Sequence, residues 1–239
     1  MLVWLELTSM NRTRVKICCI TSAEEAALAI ACGADALGLV GSMPSGPGVI
    51  DDHLIRSIAD TVPPAVSTFL LTSETTPDAI IDHARRCGTD TIQIVGHVDP
   101  KAYDVIRDAL PNVRLVQVIH VQGEETVAAA SWIADSVDAI LLDSGRPSAE
   151  VKELGGTGRT HDWSVSRQIV EEVPCPVFLA GGLTAQNVRE AIETVRPFGV
   201  DLCSGVRSND RLDESKLRLF FEPVYETCSD SAATGSGED

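Results

Sequence analysis

Two polar side chains stand where strands are expected to end, and each has a type suited to proton transfer. Cys18 lies toward the end of the β-rich run that begins at Val15, and Asp143 directly follows the apolar residues Ala139–Leu142. A carboxyl group next to apolar residues is partly desolvated, which favours its protonated form and suits a general acid. Both residues are therefore candidates for catalysis. The alternatives are a cysteine that only fills the core and an aspartate that caps a helix or a loop.

Three glycine-bearing turns lie in the last third of the chain. They are Gly155–Gly158, Ala180-Gly181-Gly182 and Cys203-Ser204-Gly205, and the second and third each follow a short apolar run. Glycine lets backbone amides approach an anion closely. Two such turns at successive strand ends predict a phosphate site like the one after the last two strands of a (β/α)₈ barrel.

Strand alternation relates the residues around Cys18 to one another. Lys16 lies two residues earlier and should share a face with Cys18, where a cation favours the thiolate. Cys19 should point the opposite way, so at most one of the two thiols is expected to enter a site. The remaining cysteines form no CxxC pair, and the histidines show no paired spacing (His53, His83, His97, His120 and His161). No metal ligand is predicted.

Short β-rich runs alternate with helical patterns from residue 15 to about residue 221. The helix candidates include Ala23–Cys32 and Ala185–Val195, with apolar residues three and four apart. The predicted strands are Val15–Ile20, Ala36–Val40, Ala65–Leu71, Thr91–Val95, Arg114–Val121, Ala139–Asp143, Pro176–Ala180 and Val200–Cys203. Strands this apolar between helices indicate a parallel sheet buried on both faces. Eight such units favour a single α/β domain, a (β/α)₈ barrel, over a doubly wound open sheet.

The barrel is expected to span residues 14–222. Residues 1–13 are interpreted as an N-terminal extension, and residues 223–239, which are small, polar and acidic, as a disordered tail.

The composition restricts the class of partner. The 239 residues are 44% hydrophobic and carry a net charge of −16, which argues against nucleic acid and anionic membranes as partners. No apolar run is long enough to predict a membrane span. The basic residues are 15 Arg and 4 Lys against 35 acids, and an acid-rich, Lys-poor surface suggests a salt-rich environment. An odd number of scattered cysteines fits reduced thiols in the cytoplasm.

Six motifs together carry a resemblance to the phosphoribosylanthranilate isomerase family, over roughly residues 14–221. In chain order they are Val15-Lys-Ile-Cys-Cys-Ile-Thr21, Ala31–Gly38, Leu141-Leu-Asp-Ser144, Gly155–Gly158 with Asp162-Trp163, Leu179–Leu183 with Asn187-Val188, and Gly199–Val206. The resemblance implies an Amadori rearrangement of N-(5-phosphoribosyl)anthranilate in tryptophan biosynthesis, without metal or organic cofactor. It implies that Cys18 is the general base and Asp143 the general acid. The substrate- and phosphate-binding residues expected from the resemblance and the turns are Lys16, Gly156, Gly181, Gly182, Ser204 and Gly205.

The chain departs from the family pattern at four places. Cys19 replaces a glycine, and Gln93-Ile-Val-Gly96 lacks the family's histidine. Pro44–Val49 contains no basic residue, whereas the family has an arginine there that pairs with the anthranilate carboxylate. The last motif reads Cys203–Arg207 in place of Ser-Ser-Gly-Val-Glu, so Arg207, or Arg146, is the suggested replacement for that contact.

These departures keep two alternatives open: a related isomerase of another phosphosugar or amino-sugar, and a non-catalytic phosphate-ligand-binding barrel. The assembly is expected to be a monomer or a homodimer.

Overall fold

A closed barrel of eight parallel strands forms the centre of the molecule, with neighbours in chain order. The structure is a computed structural model and describes residues 12–44, 46–144 and 161–234, with side chains through residue 227. The barrel strands are β1 (Arg14–Ile17), β2 (Ala36–Val40), β3 (Ser67–Thr72), β4 (Thr91–Ile94), β5 (Arg114–His120), β6 (Ala139–Asp143), β7 (Val177–Leu179) and β8 (Gly199–Leu202). This confirms the predicted fold class.

Helices follow the strands and form the outer layer. Within the described residues they are α1 (Ala23–Cys32), α2 (Asp52–Ala59), α3 (Pro77–Cys87), α4 (Lys101–Ala109), α5 (Glu125–Ile133), α6 (Trp163–Glu172), α7 (Val188–Val195) and α8 (Glu214–Thr234). A short hairpin of β9 (Arg207–Ser208) and β10 (Arg211–Leu212) leads into α8. Local sequence sets the ends of α1: the Ser22 hydroxyl accepts from the Glu25 N–H, and Gly33 takes a left-handed φ of 111°.

Two apolar cores share the strands. The larger one lies between the barrel and the helices, and the smaller one fills the barrel interior. Inside the barrel, the Phe178 ring packs edge to face between Phe69 and Phe198, with centroids 5.9 Å and 5.4 Å away. This aromatic layer fills the interior below the polar residues of the site.

Most predicted strands differ from the observed ones by one or two residues at an end, and three boundaries differ by more. The strand predicted to reach Ile20 ends at Ile17, and the helix predicted from Ala185 begins at Val188, because Thr184–Asn187 forms a turn in which the Thr184 N–H donates to Asn187 Oδ1. The chain also stays helical to Thr234, beyond the predicted end of the barrel at residue 222. Val224 is fully buried and continues the apolar face of α8, so the expectation of disorder is corrected for residues 223–234, while residues 235–239 lie outside the described residues.

No helix in the described parts of the chain is both long enough and apolar enough to cross a membrane.

Candidate active site

A cleft opens at the carboxyl ends of the barrel strands. Cys18, which follows β1, and Asp143, the last residue of β6, both line this cavity. Each is more than nine-tenths buried. The fold therefore brings the two candidate catalytic side chains, 125 positions apart in the sequence, to one cavity.

A buried ion pair lies next to Cys18. Lys16 is fully buried, and its Nζ donates to Asp201 Oδ1 at 2.9 Å, since the two residues are direct neighbours in the β1–β8 register. A Cβ placed on Gly38 would lie 2.8 Å from the Cys18 sulphur and 3.0 Å from Lys16 Nζ, so Gly38 leaves room for both groups. Burial acts to lower the pKa of Lys16, but the charge of Asp201, its hydrogen bond, and interactions with Cys18 and Cys19 together outweigh burial and raise the pKa, which holds the ammonium form.

Lys16 is not among the residues that line the cavity, although Asp201 is. Lys16 lies beneath the cavity floor, and its contact with substrate stays a prediction. Its charge reaches the site through space, next to the Cys18 sulphur.

The environment of Asp143 favours a proton on its carboxyl group. Burial raises its pKa to about 6, and the negative charge of Asp201 acts in the same direction. The Ser144 N–H donates to Asp143 Oδ1 at 2.8 Å and, together with the charge of Lys16, opposes the rise. Desolvation outweighs these two effects, which leaves a carboxyl group that can carry a proton close to neutral pH.

Both adjacent cysteines face the cavity, contrary to the expectation from strand alternation. The strand has already ended at Ile17, and Cys19 takes a left-handed φ of 63°. That conformation turns its side chain back toward the site, next to Cys18 and Cys203. Hydrogen bonding with these two thiols, together with burial, raises the pKa of Cys19. The left-handed backbone also explains why a glycine suits this position.

Arg207 is held away from the cavity by a network around Glu25. Its Nη1 and Nη2 lie 3.0 Å and 3.1 Å from the two carboxylate oxygens of Glu25, and Nη2 also donates to the main-chain carbonyl of Cys19. Glu25 in turn accepts from the backbone N–H groups of Thr21 and Leu212. Arg207 therefore ties the loop after β1 to the hairpin after β8, and its guanidinium does not line the cavity. The contact of Arg207 with a substrate carboxylate stays a prediction, and the structure places its guanidinium against Glu25.

Two of the three glycine turns fall within the described residues. Gly181 and Gly182 take left-handed φ values of 89° and 64°, and both line the cavity together with Ser204. Gly205 packs against the end of the Ala180-Gly181-Gly182 turn, because a Cβ placed on Gly205 would lie 2.2 Å from the carbonyl oxygen of Leu183. The turns after β7 and β8 thus pack against each other at one side of the cavity. Gly156, the rest of Gly155–Gly158 and Arg146 lie outside the described residues.

Sequence reasoning did not single out Gln93 as a site residue. It is buried in β4, lines the cavity, and its Oε1 has no hydrogen-bond partner. A polar residue in the interior of an apolar strand was the signal that could have identified it. Met43, Gly46 and Pro47, from the loop after β2, complete the opposite wall.

Fold and cavity define a (β/α)₈ barrel with a largely buried cleft at the carboxyl ends of its strands, the end where barrel enzymes have their active sites. A family model described as N-(5'phosphoribosyl)anthranilate (PRA) isomerase matches residues 15–223. The chain belongs to this family and is an isomerase.

Relatives and solved structures agree with this assignment. The N-(5'-phosphoribosyl)anthranilate isomerase of Methanocella arvoryzae is 38% identical over 216 residues, covering 90% of this chain and 99% of that protein. The enzyme of that name from Haloferax volcanii is 39% identical over 212 residues, covering 87% and 91%. The phosphoribosyl anthranilate isomerase structure from Thermus thermophilus has a TM-score of 0.77 at 26% identity, covering 90% of this chain and 100% of that one.

A further phosphoribosyl anthranilate isomerase structure is a complex with reduced 1-(o-carboxyphenylamino)-1-deoxyribulose 5-phosphate. Its TM-score is 0.72 at 28% identity, and the match covers 90% of this chain and 99% of that one.

Proposed function

We propose that this isomerase converts N-(5-phosphoribosyl)anthranilate to 1-(o-carboxyphenylamino)-1-deoxyribulose 5-phosphate in tryptophan biosynthesis. The observation that carries the proposal is the shared cavity of Cys18, Asp143 and the two glycine turns. An Amadori rearrangement needs one group that gives a proton and a second that takes one, and a phosphorylated substrate needs an anchor. The cavity offers all three.

Asp143 acts first, as the general acid. It protonates the furanose ring oxygen, the C1–O bond breaks, and the ring opens to a protonated Schiff base. A carboxyl group whose pKa is about 6 has enough protonated form to do this near neutral pH. The resulting carboxylate lies in a cavity that also contains Asp201, whose charge favours its reprotonation.

Cys18 acts second, as the general base. Its thiolate removes the proton from C2, the electron pair moves into a C1–C2 double bond, and the iminium nitrogen becomes neutral. The enolamine that forms then tautomerises to the ketone. The Lys16 ammonium group lies next to the Cys18 sulphur, beneath the cavity floor.

The phosphate is proposed to bind at the packed turns after β7 and β8. Gly181, Gly182 and Ser204 line this side of the cavity, and Gly205 supports them from behind. Left-handed glycines allow consecutive amides to face one anion. Gly156 is proposed to add to this site from the loop after β6.

A second candidate substrate class follows from the cavity wall that the loop after β2 forms. None of the described residues that line the cavity is Arg or Lys, and the loop after β2 presents Met43, Gly46 and Pro47. A bidentate Arg contact to the anthranilate carboxylate is therefore missing from this wall. This favours, as the alternative, a related phosphosugar isomerase whose substrate lacks that carboxylate.

Turnover of freshly formed N-(5-phosphoribosyl)anthranilate, followed by loss of its fluorescence in KCl buffer, tests the proposal. We expect turnover by the parent protein and its collapse in Cys18→Ala and Asp143→Asn. Cys175→Ala is the matched control, because Cys175 lines a different cavity, at the opposite end of the barrel. Folded parent protein without turnover would contradict the anthranilate substrate, and turnover of another phosphosugar would then support the alternative.

The surroundings in which the enzyme works are also a proposal. The net charge of −16 and the similarity to the Haloferax volcanii enzyme support a salt-rich cytoplasm. Cysteines 18, 19, 32, 87, 175 and 203 are free thiols, as expected of a reducing compartment. We expect the midpoint of unfolding to rise with added KCl, and sedimentation velocity to give a monomer or a homodimer.

A further inference from the structure

Outside the catalytic cavity, three side chains with different ligand chemistry converge between α2 and α3. Asp52 is the first residue of α2, and His83 and Cys87 lie four residues apart on one face of α3. One ligand atom from each lies within 4.8 Å of the other two. Among the described residues, this is the one group of three His, Cys, Asp or Glu side chains that meets this criterion.

His83 has an unsatisfied nitrogen aimed into this cluster. The residue is 2% exposed, and its Nε2 lies 3.1 Å from Asp52 Oδ1. No well-aligned hydrogen bond joins these two atoms, and Nε2 has no hydrogen-bond partner. A buried polar atom without a partner is costly, and such an atom beside a thiol and a carboxylate points to a ligand.

The neighbours of the cluster hold these groups in orientations that suit coordination. Thr72 Oγ1, at the end of β3, lies 2.9 Å from His83 Nδ1, and when Nδ1–H donates to it the lone pair of Nε2 is free to bind a metal. Arg86 Nε donates to Asp52 Oδ2 at 2.6 Å, so the carboxylate is oriented by one oxygen and presents the other. Arg56 donates to the main-chain carbonyls of Arg85 and Arg86 and fixes the end of α3 against α2.

We propose that Asp52, His83 and Cys87 form a structural site for a divalent metal ion of the zinc type. Nitrogen, sulphur and carboxylate ligands together are the donor set that zinc favours. A tetrahedral zinc ion with ligands at about 2.0–2.3 Å has its ligand atoms about 3.3–3.8 Å apart. The Nε2–Oδ1 separation of 3.1 Å is already near that spacing. Asp52 is partly exposed, so an ion can enter and water can complete the fourth position.

Metal binding at this place would be coupled to proton release. Burial, together with the negative charge of Asp52, raises the pKa of Cys87 to about 12, so the apo protein holds a thiol there. A bound metal ion requires the thiolate and displaces that proton to solvent. Four further charged groups lie around the cluster: the positive side chains of Arg86 and Arg56 and the negative side chains of Glu74 and Asp82. The site would join α2 to α3 and so stabilise the second and third repeats of the barrel.

Cobalt is a suitable spectroscopic probe, because Co²⁺ bound to a thiolate shows a charge-transfer band in the near ultraviolet. Metal-free, reduced full-length protein is titrated with CoCl₂ at pH 7.5, and ZnCl₂ is then added. We expect one equivalent of Co²⁺ to bind with a thiolate band and tetrahedral visible bands, Zn²⁺ to displace it, and one equivalent of Zn²⁺ to raise the Tm.

Variants separate this site from the other thiols. Cys87→Ser and His83→Gln should each lose the equivalent of bound metal and the Tm shift, with isomerase turnover retained, because neither residue lines the catalytic cavity. Cys175→Ser is the matched control and should bind Co²⁺ like the parent protein. An unchanged band in Cys87→Ser, or a parent protein that shows no thiolate band with Co²⁺, would overturn the proposal. The test on the parent protein needs no variant, so its result does not depend on whether a variant folds.

Discussion

Replacing Asp143 by Asn should remove activity and make the protein more stable. The buried carboxyl group has a pKa of about 6 in the folded protein, against 3.8 for an ordinary aspartate. Each unit of pKa shift corresponds to about 1.4 kcal/mol, so the ionised form is disfavoured by about 3 kcal/mol in the folded state. Asn carries no charge, and its Oδ1 can still accept from the Ser144 N–H. The expected gain at pH 7.5 is thus up to about 3 kcal/mol in the free energy of unfolding.

The gain should depend on pH in a defined direction. Between pH 3.8 and about 6 the folded state binds more protons at Asp143 than the unfolded state does, so stability falls as the pH rises. The favourable contribution of the protonated carboxyl is fully present below pH 3.8 and is lost as the pH passes through 6. The advantage of Asp143→Asn should therefore shrink to about half at pH 5.

Urea unfolding at pH 7.5 and pH 5 in the same KCl concentration measures both effects. Asp138→Asn is an informative control, because Asp138 accepts from the Leu115 N–H and lies 3.1 Å from Arg107. Its neutralisation should lower stability at pH 7.5 instead of raising it. An Asp143→Asn protein that is less stable than the parent at pH 7.5, or equally stabilised at both pH values, would refute the desolvation argument.

Three further variants test local features of the site. Cys19→Gly should be about 1 kcal/mol more stable than Cys19→Ala in urea unfolding. Both variants lose the thiol, but only glycine adopts the left-handed φ of 63° without strain. Equal stabilities of the two variants would contradict this. Arg207→Met should lower the free energy of unfolding by about 3 kcal/mol, because the partners of Arg207 are Glu25 and backbone carbonyls. The same variant should reduce kcat with little change in KM. A large rise in KM alone would instead indicate that Arg207 contacts substrate. Gly181→Ala should raise KM severalfold, because φ at Gly181 is 89° and a Cβ there would lie 2.7 Å from the Ser144 hydroxyl. Gly96→Ala is the control and should have the KM of the parent, because a Cβ on Gly96 would have no atom nearer than 3.7 Å. Equal KM values for the two variants would argue against a role of the Gly181 turn in binding.

The barrel was predictable because its signal is repeated. Eight apolar runs alternate with helical patterns, and a run such as Ala139–Asp143 was predicted with its observed ends because its neighbours are turn-forming or polar. The strand ends of β1 and β7 were overestimated, because the residues after them are apolar or small but line the cavity as loops. The length of α8 was missed because its end is small and polar, a composition shared by helices and disordered tails.

The site was predictable only where one residue type carries the chemistry. Cys18 and Asp143 were found by type and by position after a strand. The placement of Lys16 depends on Asp201, far away in the sequence, and the placement of Arg207 depends on Glu25, so neither follows from local pattern. The orientation of Cys19 depends on a left-handed φ that an alternation rule cannot foresee for a residue other than glycine.

Asp143 is proposed to protonate the ring oxygen and Cys18 to remove the C2 proton, and a kinetic isotope effect distinguishes these two roles. Substrate deuterated at C2 of the ribose is compared with ordinary substrate in the Cys18→Ser and Asp143→Asn variants under single-turnover conditions. If Cys18 removes the C2 proton, the slowed step in Cys18→Ser is cleavage of that bond, and a full primary isotope effect is expected. In Asp143→Asn, ring opening limits the rate and the isotope effect should fall toward unity. A full isotope effect in Asp143→Asn and none in Cys18→Ser would contradict the assignment.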